Sequence, residues 1–209
     1  MSGPSAGTLM LAGPMGLLET LYAPPAQGVN VLGVAVLAHP NPRLGGHNRH
    51  KVIHTMAKAL NQLGYHCYTP NYRGVGLSVG TYDAGPGETS DLLAIIAQAQ
   101  QRHPGLKLVL AGFSFGGHVA LKAAQHTQPS ALLLIAPSVT LHESGSPHAP
   151  QAQRTTLIAA EADAIDPLAP LCAWARPQNL PLILIPGASH FFDGQLPLLS
   201  QAITRYFRH

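Results

Sequence analysis

The sequence predicts an α/β fold, namely a doubly wound and mostly parallel sheet without a cap domain. Short apolar runs rich in valine, leucine and isoleucine alternate with amphipathic stretches, and this alternation is typical of a doubly wound sheet. Several runs are apolar throughout, as expected for strands that are buried on both faces. The length of 209 residues favours a single domain spanning residues 1–209.

The first predicted element is a hairpin at an edge of the sheet. It covers residues 9–22 and is interrupted by Gly13 and Pro14, a pair that is typical of a turn. Six later runs have the apolar pattern of strands: residues 31–37, 65–69, 106–111, 131–136, 155–159 and 180–185.

Helices are predicted between the strands. In residues 50–63 apolar side chains recur at helical spacing, and Gly64 follows at the C-cap position. The other stretches predicted as helices are residues 89–101, 116–125, 167–175 and 196–207. Residues 139–154 are rich in serine, glycine, proline and histidine. They are predicted to form a loop that is too short to hold a helical cap, so we expect an open site.

Ser114 is the candidate nucleophile. It lies in the pattern Gly112-Phe113-Ser114-Phe115-Gly116, between a predicted strand and a predicted helix. A serine on such a tight turn is held in a strained backbone conformation with its hydroxyl at the open end of the sheet. Glycine suits the positions two residues on either side, because the turn has no room for side chains there. The helix start also places N–H groups near any oxyanion that forms.

A second serine, Ser78, lies in the same short pattern, between Gly76 and Gly80. The residues that follow it include Gly85, Pro86 and Gly87, which predict a loop in place of a helix. Without a helix behind it, Ser78 has neither the turn geometry nor the helix dipole. The sequence context therefore favours Ser114 over Ser78.

His190 is the candidate general base, and Asp163 is the candidate acid. A serine hydroxyl needs a histidine to take its proton, and that histidine needs a carboxylate to fix its tautomer. His190 follows the last predicted strand, and ligands of open α/β sheets bind at the carboxyl ends of strands. Asp163 and Asp166 both follow the fifth of the six predicted strands. Asp166 precedes Pro167 and a helical run, which predicts a helix N-cap and leaves Asp163 as the preferred acid.

With these residues the chain resembles the α/β-hydrolase superfamily over essentially its whole length. Within that superfamily it is most similar to the small cap-less bacterial hydrolases of the dienelactone-hydrolase-like type. Four motifs carry the resemblance in the family's order: His39-Pro40-Asn41-Pro42, Arg73-Gly74-Val75-Gly76-Leu77-Ser78-Val79-Gly80, Gly112-Phe113-Ser114-Phe115-Gly116-Gly117 and Gly187-Ala188-Ser189-His190-Phe191-Phe192. The resemblance implies a Ser–Asp–His triad and assigns Ser78 to the family's second loop.

Two departures from the family pattern bear on function. The acid loop usually reads His-Gly-x-x-Asp, whereas here Ala159-Ala160-Glu161-Ala162 precedes Asp163. The missing glycine leaves Asp166 open as an alternative acid. Dienelactone hydrolases use a cysteine nucleophile, so their lactone substrate is not implied for a chain with serine.

An oxyanion hole is predicted from two backbone N–H groups. One is that of Phe115, directly after the nucleophile, and the second comes from the loop after the first parallel strand. Proline has no N–H to donate. Asn41, between Pro40 and Pro42, is therefore the predicted second donor.

Composition excludes several other functions. The net charge of +3 is not gathered into a basic run, so no nucleic-acid partner is expected. No apolar stretch approaches the length of a membrane span, and no secretion signal or disulfide framework is recognised, so we expect a cytoplasmic protein. No strand is followed by a nucleotide-binding glycine pattern, and no acid or cysteine completes a metal site beside His47, His50 and His54. We therefore expect neither a cofactor nor a metal.

These features predict a serine hydrolase that acts on small carboxylic esters or thioesters through an acyl-enzyme. A small peptidase or amidase would use the same groups and is the nearest alternative. A non-catalytic scaffold that keeps the fold is the alternative from another class. The sequence carries no indication of oligomeric state.

Overall fold

The structure is a computed structural model that describes residues 5–140, 147–150 and 154–208. The strands are β1 (Gly7–Gly13), β2 (Gly16–Ala23), β3 (Gly33–Ala38), β4 (Tyr65–Pro70), β5 (Lys107–Phe113), β6 (Ala131–Ile135), β7 (Arg154–Ala160) and β8 (Leu182–Ile185). The α-helices are α1 (Lys51–Gln62), α2 (Pro86–Arg102), α3 (Phe115–Ala124), α4 (Leu168–Ala175) and α5 (Leu196–Phe207). Short 3₁₀ helices cover Pro42–Leu44 and Arg176–Gln178.

The strands form one sheet in the order β1-β2-β4-β3-β5-β6-β7-β8. The hairpin of β1 and β2 lies at one edge and pairs antiparallel with β4. All the other neighbouring strands are parallel. The predicted doubly wound, mostly parallel sheet and its edge hairpin are therefore confirmed.

Both faces of the sheet are covered by helices. In β5, Leu108 and Leu110 point into a core shared with α2, α3 and α4, whereas Val109 and Ala111 point into a second core shared with α1 and α5. Successive side chains of a strand point to opposite faces. A strand buried on both faces must therefore be apolar at every position, which explains the continuous apolar runs in the sequence.

Several elements begin at other residues than predicted; β1, for example, begins at Gly7 and β8 at Leu182. Strand β3 begins at Gly33, because Val31 and Leu32 are exposed and precede the pairing with β5. Helix α2 begins at Pro86, whereas the sequence predicted a loop there. Proline is tolerated in the first turn of a helix. The buried carboxylate of Glu88 accepts the N–H of Gly85 at 2.7 Å and stabilises this start.

The loop predicted for residues 139–154 is described only in part, since residues 141–146 and 151–153 lie outside the described residues. Residues 147–150 form neither helix nor strand. In the ranges that the structure describes, no helix is long and apolar enough to cross a membrane.

A buried ion pair anchors the loop after β4 to helix α2. The Arg73 guanidinium donates to both carboxylate oxygens of Asp91, at 3.0 and 2.8 Å, and the Arg73 backbone N–H also donates to Asp91 at 2.9 Å. Asp91 is fully buried. Removing one partner of such a pair leaves an uncompensated buried charge.

We expect Asp91→Asn to lower the free energy of unfolding by about 3 kcal/mol, because the amide cannot balance the charge of Arg73. The matched control is Asp193→Asn, which removes an exposed carboxylate that pairs with Lys51. Exposed pairs contribute little, so the control should change stability by less than about 1 kcal/mol. Urea denaturation of the three proteins measures both effects. Equal losses in the two variants would contradict the proposed anchoring by Asp91.

Candidate active site

The turn between β5 and α3 holds Ser114 in a strained conformation. Its φ of 55° and ψ of −124° lie in a region that residues with a side chain rarely adopt. The Ser114 N–H donates to the carbonyl of Ile135 at 3.0 Å, and the Ser114 carbonyl accepts the N–H of Gly117 at 2.8 Å. These bonds, to β6 on one side and α3 on the other, keep the strained residue in place.

Glycines allow this turn to pack against β3. A Cβ atom on Gly116 would overlap the carbonyl oxygens of Ala38 and His39, and a Cβ on Gly112 would overlap the carbonyl of Gly116. The start of α3 therefore lies so close to the end of β3 that no residue other than glycine fits at position 116. This approach brings the loop that contains Asn41 next to the Ser114 turn.

The structure brings Ser114, His190 and Asp163 into one hydrogen-bonded row. His190 Nε2 lies 3.0 Å from Ser114 Oγ, and His190 Nδ1 lies 2.7 Å from Asp163 Oδ2. All three side chains are buried. Asp163 Oδ1 also accepts the backbone N–H groups of Ile165 and Asp166, at 2.9 and 2.8 Å. The bonds to Oδ1 fix the position of the Asp163 carboxylate, and the contact at Oδ2 then orients the imidazole ring of His190.

Asp166 lies beside Ser114, and the prediction that it caps a helix is wrong. Helix α4 begins after Pro167 and has no side-chain cap. Asp166 Oδ2 instead accepts hydrogen bonds from Ser138 at 2.6 Å and from Ser114 at 3.2 Å. Burial raises the pKa of the Asp166 carboxyl above its ordinary value, and the hydrogen bonds from the two serines offset part of that rise. The alternative acid thus contacts the serine, whereas Asp163 contacts the histidine.

The two predicted oxyanion donors, Asn41 and Phe115, lie on opposite sides of the close approach between β3 and α3. Phe115 is the first residue of α3, where N–H groups have no partner within the helix. Asn41 precedes the 3₁₀ helix Pro42–Leu44. Among the described residues, neither N–H group donates a hydrogen bond to a protein acceptor. Both are therefore free to bind an oxygen of a substrate.

His39 orients the peptide group that carries the Asn41 N–H. His39 Nδ1 lies 2.7 Å from the carbonyl oxygen of Pro40, and that carbonyl belongs to the same peptide group as the Asn41 N–H. His39 Nε2 accepts the N–H of Tyr72 at 3.2 Å. Burial lowers the pKa of His39 to about 3, so the ring is neutral, donates at Nδ1 and accepts at Nε2.

Ser78 has a different set of partners from Ser114. Its hydroxyl donates to the carbonyl of Asn71 and accepts the N–H of Glu19, each at 2.9 Å. The Glu19 carboxylate in turn accepts from Asn71 at 2.9 Å and from the N–H of Leu77 at 3.0 Å. These bonds tie the loop after β4 to the edge hairpin. Ser78 is part of that network, and no histidine among the described residues forms a hydrogen bond with it.

Sequence reasoning missed Ser138 and the role of His39. Ser138 follows β6 closely, and the carboxyl ends of β5, β6, β7 and β8 lie at the same edge of the sheet. The argument that selected His190 and Asp163 from strand ends applies equally to Ser138. His39, directly after β3, follows from the same argument.

Known proteins are similar to this chain in sequence and in fold. A family model described as serine aminopeptidase, S33, matches residues 9–178. An uncharacterised protein of Rickettsia prowazekii is 32% identical over 206 residues, which covers 93% of this chain and 85% of that protein. A crystal structure from Xanthomonas campestris, described as an α/β serine hydrolase without lid, is similar at a TM-score of 0.92 and 33% identity, covering 100% of this chain and 96% of that one.

The resemblance to dienelactone hydrolases also has a structural counterpart. Dienelactone hydrolase from Anabaena variabilis is similar at a TM-score of 0.76 and 22% identity, covering 99% of this chain and 98% of that one. At this identity the fold alone is shared. The family model and the two closer relatives, by contrast, cover most of the chain. The chain therefore belongs to the α/β serine hydrolases of the family described as serine aminopeptidase, S33.

Proposed function

We propose that this serine hydrolase cleaves small carboxylic esters or thioesters through an acyl-enzyme formed at Ser114. The observation that carries the proposal is the row of hydrogen bonds from Asp163 through His190 to Ser114, at 2.7 and 3.0 Å. Nucleophile, base and orienting acid in hydrogen-bond contact are the groups that acyl transfer requires.

In the first step Ser114 Oγ attacks the carbonyl carbon of the substrate while His190 Nε2 takes the hydroxyl proton. Asp163 supports this step by accepting a hydrogen bond from the N–H group at His190 Nδ1, which leaves Nε2 with a free lone pair that faces Ser114. The imidazolium that forms is stabilised by the same carboxylate. His190 then returns the proton to the leaving alcohol or thiol.

The negative charge that develops on the carbonyl oxygen is stabilised by the N–H groups of Phe115 and Asn41. The support for this assignment is that both groups lack a protein acceptor among the described residues and that both border the Ser114 turn. The N-terminus of α3 contributes a favourable dipole. His39 acts as a positioning residue, because it holds the Pro40 carbonyl of the peptide group that presents the Asn41 N–H.

In the second step a water molecule replaces the leaving group and hydrolyses the acyl-enzyme. His190 takes a proton from the water and returns it to Ser114 Oγ, which restores the free enzyme. Every group in this cycle lies in the loop or at the helix start that follows a strand of the sheet.

Hydrolysis of a small amide or peptide is the second candidate function. It is favoured by the description of the family model, serine aminopeptidase. The same residues would act, but His190 would protonate an amine, which is a harder leaving group. A screen of matched ester, thioester and aminoacyl-amide substrates on the purified protein separates the two. The proposal requires the ester or thioester to have the higher kcat/KM.

Ser114 should be labelled stoichiometrically by a fluorophosphonate probe, because only an activated serine attacks the phosphorus atom. Labelling should disappear in Ser114→Ala and persist in Ser78→Ala, since Ser78 has no histidine partner. Mass spectrometry of the intact protein and of its peptides measures the label and its position. A folded wild-type protein that takes no label would favour a non-catalytic scaffold.

Asp163→Asn should lower kcat/KM for a neutral ester by at least about a hundredfold. The side-chain oxygen of the asparagine would still accept the hydrogen bonds from the N–H groups of Ile165 and Asp166 that Asp163 Oδ1 accepts in the wild type. Its NH₂ group would then face His190 Nδ1 and place the imidazole proton on Nε2, where the ring can no longer act as a base. Steady-state kinetics measures the loss.

The control for this variant is Asp83→Asn, which removes an exposed carboxylate with no side-chain hydrogen bond among the described residues. It makes the same change in net charge and should alter kcat/KM by less than about twofold, as is usual for an exposed side chain that takes no part in the row of Asp163, His190 and Ser114. Comparable losses in the two variants would show that net charge, and not the orientation of His190, sets the rate.

A further inference from the structure

The hydroxyl of Ser114 has two strong acceptors and a single hydrogen. His190 Nε2 lies at 3.0 Å and Asp166 Oδ2 at 3.2 Å. The proposed mechanism uses only the first of these contacts. A carboxylate in contact with the nucleophile draws the hydroxyl hydrogen away from the base, so its presence calls for an explanation.

Asp166 has the geometry of an ionised carboxylate. Its contact with the Ser138 hydroxyl, at 2.6 Å, is as short as charge-assisted hydrogen bonds between a hydroxyl and a carboxylate. Across the parts of the chain that the structure describes, neither lysine nor arginine forms an ion pair with it. Two ionisable groups act on its charge: His190, which favours it, and Asp163, which has the same sign and opposes it. Asp166 therefore brings to the serine a negative charge that no lysine or arginine of the described residues pairs with.

One side of Asp166 is available to a ligand. Oδ2 accepts from Ser138 and Ser114, whereas Oδ1 accepts no hydrogen bond from a described residue. The side chain is half-buried, so solvent and small ligands reach it. An oxygen with this combination of charge, exposure and free lone pairs matches a cationic group.

The strand order places Asp166 on one particular side of the scissile bond. β3, whose loop holds Asn41, lies on one side of β5, while β6 and β7, whose loops hold Ser138 and Asp166, lie on the other. When the carbonyl oxygen of the substrate points toward Asn41, one of the two other groups on the carbonyl carbon points toward Asp166. That substituent is either the acyl chain or the leaving group.

We propose that Asp166 is a specificity-determining residue that selects substrates with an ammonium group next to the scissile carbonyl. The inference rests on the proposed esterase function and names its substrate class. The ammonium pairs with Asp166, and this pairing weakens the hold of the carboxylate on the Ser114 hydroxyl. The hydroxyl hydrogen then points to His190, so the preferred substrate also promotes the alignment of the nucleophile.

Two pairs of nearly isosteric esters test the proposal and separate the two positions of the cation. Methyl 3-aminopropanoate and methyl butanoate differ by an ammonium in the acyl chain, and choline butanoate and 3,3-dimethylbutyl butanoate differ by an ammonium in the leaving group. At pH 7 we expect the wild-type kcat/KM to be at least about tenfold higher for the cationic member of at least one pair. A ratio of this size is what a charge-assisted contact contributes. In Asp166→Asn this ratio should fall at least about tenfold.

Asp83→Asn is the matched control, and it should leave the cationic-to-neutral ratio within about twofold of wild type. Asp166→Ala should lower the ratio as Asp166→Asn does, and fluorophosphonate labelling shows that the site remains intact in both. An unchanged ratio in both Asp166 variants overturns the inference, even where both rates fall together. Turnover of the neutral esters without any cationic preference in the wild type overturns the inference and leaves the proposed function standing. Lack of turnover of all four esters overturns both.

Discussion

The site depends on one steric constraint, the close approach of the start of α3 to the end of β3. The approach is possible because Gly116 has no side chain to meet the carbonyl oxygens of Ala38 and His39. It forces the chain through the positive φ of Ser114, which turns the hydroxyl out of the sheet edge. The same approach brings the loop with Asn41 beside the first N–H groups of α3. The positions of the candidate nucleophile and of the two proposed oxyanion donors thus result from a single packing contact.

The second organising element is the tight turn after β7. Asp163 Oδ1 accepts the N–H groups of Ile165 and Asp166, and this closes the turn. The two carboxylates of this turn therefore contact different partners. Asp163 contacts the imidazole of His190, and Asp166 contacts the hydroxyl of Ser114. Their surroundings differ, since Asp163 is buried and both its oxygens accept hydrogen bonds, whereas Asp166 is partly exposed and its Oδ1 accepts none from a described residue. This difference is the basis for giving one the orienting role and the other the selection of substrate.

The error over Asp166 shows where local patterns fail. Aspartate followed by proline and an apolar run is typical of a helix N-cap. Here the hydroxyl of Ser138, on the neighbouring strand end, offers a contact of 2.6 Å, and the carboxylate takes that partner in place of the helix. The tertiary contacts replace the local one, since the same carboxylate oxygen accepts hydrogen bonds from both Ser138 and Ser114. For Ser78 the local pattern agrees with the structure only in part: no helix follows the serine directly, but α2 begins at Pro86, where the sequence predicted a loop.

The sequence by itself determined the fold class, the order of strands and helices, and the candidates Ser114, Asp163 and His190. These conclusions rest on hydrophobic periodicity, on turn chemistry and on the rule that strand ends share one edge of a sheet, all of which are local or general. Only the tertiary structure decided that Asp166 and Ser138 meet at Ser114 and that His39 holds the peptide of Asn41. The contacts of Ser138 and Asp166 with Ser114, and that of His39 with the N–H of Tyr72, join residues 24 to 52 positions apart in the chain. They depend on which strands are neighbours and in what register, so they form only when the sheet is assembled.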